Sequence, residues 1–466
     1  FTMRTNNAPD TALPTDFVAQ TTPITIPAGS NSILAAVSLV DDNLVEGNKV
    51  VELVLSNPTG GAILGVQRIS SLRIVDDERI GSIDSSFVLG TAADNNLQDI
   101  AVYTNQVSPH LGKILIAGEF LNYDGVNRVR IARLNRDGSL DPTFDPSAGP
   151  DNVVNAIAID DQDRVLIGGS FSTVGGLARP NIARLNADGS LDTTYNSGGT
   201  GANNAVLAIL RDNAGRAIIA GAFTSYNGTI RQRIARLLPD GGLDNSFDPA
   251  NGPDNTVRSL DIDPNGNILI AGSFNNYNNA NPIRSKMARL LPDGTLDTSL
   301  ISGFSGGADV RVVRAQGTSG ILVAGAFDAV GPFGRTNIAR ILAVDGSVDP
   351  SFNSLANANS LIRSLEFDAF GRILIGGDFT SVNGQARGRV ARLSADGILD
   401  GSFDTGRGLE ASVQVVASSL GGGVLVGGSF ATADGLVRNH LARLNGDLGA
   451  VEVAASTLSE LERSAV

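Results

Sequence analysis

The triplet Ala-Arg-Leu, once Ala-Arg-Ile, recurs along the chain with its arginine at Arg133, Arg184, Arg236, Arg289, Arg340, Arg392 and Arg443, at spacings of 51, 52, 53, 51, 52 and 51 residues. Two further signals keep the same period. Gly-x-Phe ends at Phe120, Phe171, Phe223, Phe274, Phe327, Phe379 and Phe430, and Leu-Asp-x-x-Phe or a near variant starts at Ile83, Leu140, Leu191, Leu243, Leu296, Val348 and Leu399. A fixed period of this kind means stacked copies of one supersecondary unit, and it outranks any local reading. In one copy, VVNAIAID (153–160), VLIGGSF (165–171), NIARLN (181–186) and LDTTY (191–195) read as four strands. They are joined by the turns DQDR, STVGGLARP and ADGS. Four strands in about 52 residues, with no helical spacing of apolar residues, predict the blade of a β-propeller.

The offset of the signals predicts a closed ring of seven blades. The first Leu-Asp-x-x-Phe copy, IDSSF (83–87), precedes any full repeat, and the last LARLN (441–445) has no such copy after it. The early strand is therefore expected to pair into the last blade. Closure of this kind hides sheet edges that would otherwise invite aggregation. The fifth copy departs from the rest, with one extra residue in ILAVDGS and no turn Asp in GTSGILVAGAF.

The motifs LNADGSLDTTY, GRILIGGDF and NIARLN resemble the delta-60 repeat family of bacterial surface and secreted proteins, over roughly residues 80–447. The resemblance implies an extracellular, cell-surface location and no defined activity.

A high glycine count, 55, with abundant Asn and Asp, fits many strands joined by tight turns. The net charge of −13 argues against nucleic acid and against an anionic membrane face. No apolar run is long enough to cross a membrane, and no signal peptide is visible. Without cysteine there is no disulfide frame, thiolate metal site or Cys nucleophile.

Two arginine columns and one aspartate column run through the repeats. Besides the Ala-Arg-Leu arginines, a second series lies five residues earlier, at Arg128, Arg179, Arg231, Arg284, Arg335, Arg387 and Arg438. The aspartates are Asp84, Asp141, Asp192, Asp244, Asp297, Asp349 and Asp400. Guanidinium forks arranged around a channel would bind anions. The reading favoured here is structural: seven identical copies, each Arg with an Asp counterpart, pair or cap carbonyls and set the blade spacing. Likewise DIDPNGN (261–267) has oxygens at alternate positions, but Gly272 stands where a calcium loop needs its bidentate Glu, so a hairpin turn is expected.

Residues 1–79 depart from the repeat. PITI, ILAAVSLV, VVELVLS and SLRIV alternate with period two and predict an immunoglobulin-like β-sandwich. The stretches VSLVDDNLVEGN, VELVLSNPTGGAILG and RIVDDE resemble the Calx-β domain of sodium–calcium exchangers and bacterial surface proteins. That resemblance implies a Ca2+ site built from Asp16, Asp41, Asp42, Glu46, Asp76, Asp77 and Glu78. The family's first strand is missing from the front of the chain. VEVAASTLSELERSAV (451–466), within the linker and strand of residues 448–466, is similar to that missing beginning, with Glu460 where the family has a liganding Glu. The alternative for this segment is a short helix, since Thr457 and Glu460 fit a capping box. The opening FTMRTNNAPD reads as a cut from something longer. The expected partners are other copies of the chain, head to tail, either within one polypeptide or by strand donation.

Chemistry is sparse. His110 and His440 are the only histidines, and neither has a Ser or Asp partner in sequence. The expectation is a non-enzymatic extracellular structural or adhesive protein, a fibre or adhesin unit with calcium-stiffened junctions. The alternatives are a lectin-like module binding surface glycans or proteins and a secreted hydrolase. The absence of Trp and the presence of only 5 Tyr make poor material for stacking on sugars.

Overall fold

The computed structural model describes residues 79–447 except 280–282, 302, 306–308, 319 and 354–356. It also describes residues 2–5, 17–18, 25, 37–40, 49–54, 56–59 and 69–74 of the N-terminal region. The chain divides into two compact units, of which the larger is Gly81–Gly449. All regular structure among the described residues is β, and no helix among them is long and apolar enough to cross a membrane.

The larger unit is a β-propeller of seven blades, each a three-stranded antiparallel sheet. In blade 2 the inner strand is Val154–Ile159, the middle strand Val165–Gly169 and the third strand Ile182–Leu185. The middle strand is buried along its whole length, which is why it reads as an unbroken apolar run rather than an alternating one. The inner strand carries a bulge between Val154 and Ala156. The same irregularity recurs in the other six blades. The sequence expectation of a fourth strand reduces to a single bridge, Leu185 to Leu191, because Asp192 turns its chain away at once to serve a side-chain role described below. The stretch expected as a wide turn contains a small ribbon of its own, Thr173–Val174 paired with Leu177–Ala178.

The ring closes as the offset predicts. Ile83 bridges to Leu444, the Asp84 amide donates to the Arg443 carbonyl at 2.9 Å, and the Asn445 amide donates to the Ser82 carbonyl at 2.8 Å. Leu97 and Ile100 of blade 1 share a buried cluster with Val415, Leu425 and Leu441 of blade 7, so the last blade packs on the first. In blade 5 the extra residue lies in the turn after the third strand. There Leu342 bonds Ser347, where blade 1 closes Asn135 on Ser139.

The N-terminal unit shows a three-stranded antiparallel sheet. Lys49–Val54 lies between Thr2–Thr5 and Ile69–Ile74, and a separate pair joins Phe17–Val18 to Ser38–Leu39. Phe17 and Val51 are its buried centre. The alternating segments are thus strands over residues 50–54 and 71–74.

Candidate functional site

The two repeated charge columns resolve into one staple, built seven times. In blade 1 Arg133 Nε donates to Asp141 Oδ2 at 2.7 Å, Nη2 donates to the Thr143 hydroxyl at 3.0 Å, and Nη1 crosses to the Ala187 carbonyl of blade 2 at 2.6 Å. The other oxygen of Asp141 accepts from the Thr143 amide at 3.0 Å and hydroxyl at 2.6 Å, so the aspartate also folds its own turn. The Phe of the motif lies under the guanidinium, with Arg236 4.9 Å from the Phe247 ring centre and Arg443 4.6 Å from that of Phe87. Blade 4 has Leu300 at that position; Arg289 still holds Asp297 at 2.7 Å. Arg443 meets Asp84 at 2.5 Å, so one staple spans the closing seam.

The electrostatics follow from these bonds. Burial alone would raise the Asp192 carboxyl, but the Thr194 hydroxyl, the Arg184 guanidinium and the Thr194 amide outweigh it and hold it below the ordinary carboxylate range. Asp244, Asp297, Asp349 and Asp400 are lowered by the same balance, with a serine in place of the threonine. At the next blade the turn must come very close. Gly189 has φ +90°, and a Cβ there would sit 2.8 Å from the Asp145 backbone of the preceding blade. This is the physical need behind the Gly of the Asn-x-Asp-Gly turn.

The staples lie on the third strands and do not ring the channel. The second arginine series caps carbonyls: Arg231 Nη1 donates to Ile230 O at 2.9 Å, and Arg438 Nη1 to Val437 O at 3.0 Å. The structural reading of both columns therefore holds. DIDPNGN is a hairpin turn, in which Asp263 accepts from the Asn265 and Asn267 amides, each at 2.9 Å. Of the calcium residues implied by the Calx-β resemblance, Asp16, Asp41, Asp42, Glu46, Asp76, Asp77, Glu78 and Glu460 all lie outside the described residues, as does the segment 451–466. Among the described residues no group of three or more His, Cys, Asp or Glu is placed to hold a metal.

The channel is lined by the inner strands, and there the repeat breaks. At its rim the equivalent positions are Gln98, Asn155 and Leu207, then Arg258, Arg311 and Arg363 on three successive blades, then Gln414. Arg258 Nε and Arg311 Nε lie 3.1 and 2.7 Å from the two oxygens of Asp309, and Arg363 makes a two-pronged contact with Asp378, both bonds 2.8 Å. Burial, and then the charge of Arg258, lower the Arg311 pKa. Deeper, Arg314 stands 3.8 Å from Glu366. Burial pushes the Asp99 carboxyl up to about 7, against amide bonds from Ile157 at 2.8 Å and Ile100 at 2.9 Å. An arc of guanidinium groups facing an uncharged arc is the asymmetry a binding mouth needs. The sequence carried this signal in the inner-strand columns, where Arg258, Arg311 and Arg363 align.

The histidines separate. His440 occupies a column of left-handed residues before the third strand, with φ 63°. Its Nδ1 lies 3.0 Å from the Gly428 carbonyl. Lys286 does the same work at Ser273 O, 3.1 Å away. His110 sits in the enlarged hairpin of blade 1. Its amide donates to the Ser108 hydroxyl at 3.0 Å, and that hydroxyl donates to Asp163 of blade 2 at 2.7 Å. Sequence reasoning missed this grouping because Asp163 is 55 residues from Ser108. The hydroxyl points at the carboxylate rather than at the imidazole, so the trio is not ordered for nucleophilic attack.

Seven segments, residues 112–144, 163–195, 215–247, 264–300, 320–352, 371–403 and 422–448, match the family described as "Domain of unknown function (DUF5122) beta-propeller". The first six end at the Phe, Tyr or Leu of the Leu-Asp-x-x-Phe signal, and the seventh stops short of one, in keeping with the copy at Ile83. Among solved structures, the WD40 β-propeller domain of Doa1 is 13% identical, with 78% of this chain and 95% of that one covered and a TM-score of 0.48. YCF48 from Cyanidioschyzon merolae is 13% identical, with 76% and 96% covered and a TM-score of 0.41. No curated protein matches the chain.

Proposed function

We propose that the protein is a non-enzymatic extracellular unit, structural or adhesive, that joins copies of itself head to tail through junctions stiffened by Ca2+. The observation that supports the structural part is the use made of the repeated charges. All seven Arg–Asp pairs are engaged within the blades, and six reach a carbonyl of the following blade, which suits a rigid spacer. The calcium part rests on the Calx-β resemblance of residues 1–79 and the acidic groups it implies. Electron microscopy of the native protein with calcium, and again after chelation, tests the reading. Regular filaments that loosen on chelation are the expected result, and compact single particles in both conditions would refute it.

A second reading, a ligand-binding surface module for glycans or proteins, is favoured by the channel rim, where Arg258, Arg311 and Arg363 depart from the repeat. A glycan array distinguishes the two, since the structural reading predicts no saturable binding there.

A further inference from the structure

Between blades 2 and 3, at the corner where the hairpin after the inner strand meets the next blade's Asn-x-Asp-Gly-type turn, lies a cavity of ≈ 180 Å³. Asp160, Arg164, Arg184, Tyr195, Arg211 and Pro239 line it. Three observations bear on what it takes.

The first is a filled copy of the same corner. Between blades 6 and 7 the equivalents of Arg164 and Arg184 are Arg372 and Arg392. Each already holds an aspartate of its own blade, Asp368 at 2.6 Å and Asp400 at 2.8 Å. Both nevertheless close on a third carboxylate, that of Asp447, which contacts Arg372 Nη1 and lies 3.2 Å from Arg392 Nη1. A guanidinium bound through Nε keeps donors on its outer edge, so one more carboxylate fits. In blade 2 the inner pairs are the same, Arg164 with Asp160 at 2.7 Å and Arg184 with Asp192 at 2.8 Å, but Arg184 Nη1 donates to the Pro239 carbonyl at 2.6 Å, so the outer edge still open to a carboxylate is that of Arg164. The residue equivalent to Asp447 is Asp240, and its carboxylate instead accepts from the Gly242 amide of its own turn at 2.8 Å. The chain therefore does not supply the third carboxylate at this corner.

The second observation is Tyr195. Five other blades have Phe here and one has Leu. Tyr195 is 2% exposed, its ring lies 4.5 Å from the Arg184 guanidinium, and its hydroxyl is buried without a hydrogen-bond partner. A buried hydroxyl left unsatisfied is costly, and a bound acceptor would relieve it. The third is Arg211, a guanidinium that the corner between blades 6 and 7 lacks, having Ser418 at the matching place. Arg211 bonds the Ile159 carbonyl at 3.2 Å and meets only the exposed Asp161, at 3.4 Å.

We infer that this corner binds a small carboxylate, held by the outer edge of Arg164 as Asp447 is held by Arg372, with Arg211 beside it and the Tyr195 hydroxyl donating to it. The carboxyl group belongs either to a free small acid or to a sugar acid. Calorimetric titration of the full chain with lactate, with glucuronate and with inorganic phosphate tests this. One saturable site for lactate or glucuronate, and weaker binding of phosphate, is expected; lactate alone indicates a free acid, glucuronate alone a sugar acid. Tyr195→Phe, which restores the residue of most blades and so keeps the fold, should weaken binding several-fold, and Arg164→Gln at least tenfold. Asp447→Ala should open a second carboxylate site and raise the stoichiometry from one to two. Absence of carboxylate binding, preference for phosphate, or binding indifferent to both Tyr195→Phe and Arg164→Gln would overturn the inference.

Discussion

In blade 2 the Arg184 guanidinium reaches Asp192, 8 residues further on; in blade 7 the Arg443 guanidinium reaches Asp84, 359 residues away. The bonds are alike, and so is the aromatic ring beneath each arginine. What differs is the length of chain they close. Loop entropy grows only with the logarithm of length, so the long closure is more costly by about 3 kcal/mol, not by tens. The turn bonds of the seam are also those of blade 2: Gly81 N to Asn445 O at 2.7 Å, Asn445 N to Ser82 O at 2.8 Å and Asn445 Nδ2 to Ser82 Oγ at 3.1 Å match Gly189 N to Asn186 O at 2.9 Å, Asn186 N to Ser190 O at 2.8 Å and Asn186 Nδ2 to Ser190 Oγ at 2.9 Å. A staple that merely shapes a turn inside one blade thus becomes, at the seam, the element that makes the row of blades a ring.

The largest expected difference lies between Asp84→Ala and Asp192→Ala. Each strands a largely buried arginine, and the expected loss is about 3–5 kcal/mol. Only the seam variant should also reduce the slope of urea unfolding, because blades 1 and 7 would separate before the rest. Equal midpoints and equal slopes for the two variants would erase the contrast. A smaller loss, about 2 kcal/mol, is expected for Arg184→Lys by thermal unfolding, since an ammonium cannot serve Asp192 and the Pro239 carbonyl with one flat fork. No change there would mean the carbonyl contact between blades contributes nothing.

Acid should act on blades 1 to 6 together. The staple aspartates Asp141, Asp192, Asp244, Asp297, Asp349 and Asp400 are lowered in the folded protein. A depressed carboxyl contributes stability above its unfolded value, near 4, and that stability is lost as pH falls through the folded value. The contribution of the staples to the melting midpoint should therefore be nearly level above about pH 5 and drop steeply below about pH 4, while Asp99, raised to about 7, adds an opposite decline as pH rises from about 4 toward 7. An acid-side drop centred near pH 6 would point to other groups. The smallest effect, about 1 kcal/mol, belongs to Phe247→Leu, which copies the natural Leu300 of blade 4 and removes only the ring under Arg236.

The ring was legible because its signals repeat, and closure because one signal is displaced: Ile83 comes early, and no further copy of that signal follows Leu444. The Arg–Asp pairing was legible because the two columns have equal numbers. The channel rim was not, because columns that differ from blade to blade vanish when copies are averaged onto one motif. Asp163 against Ser108, and Asp447 against Arg372, join neighbouring blades at points where the hairpin is enlarged or the repeat runs out. Periodicity says nothing about such places.

The most direct test uses the absence of native cysteine. Ser82→Cys combined with Asn445→Cys places a thiol pair where the two side chains meet across the seam at 3.1 Å. Oxidation should give an intramolecular disulfide in the monomer, with an unfolding midpoint that rises by up to about 5 kcal/mol of stability and falls back on reduction. Thiols that stay free, or that link only between molecules, would contradict closure of the ring by its own first strand.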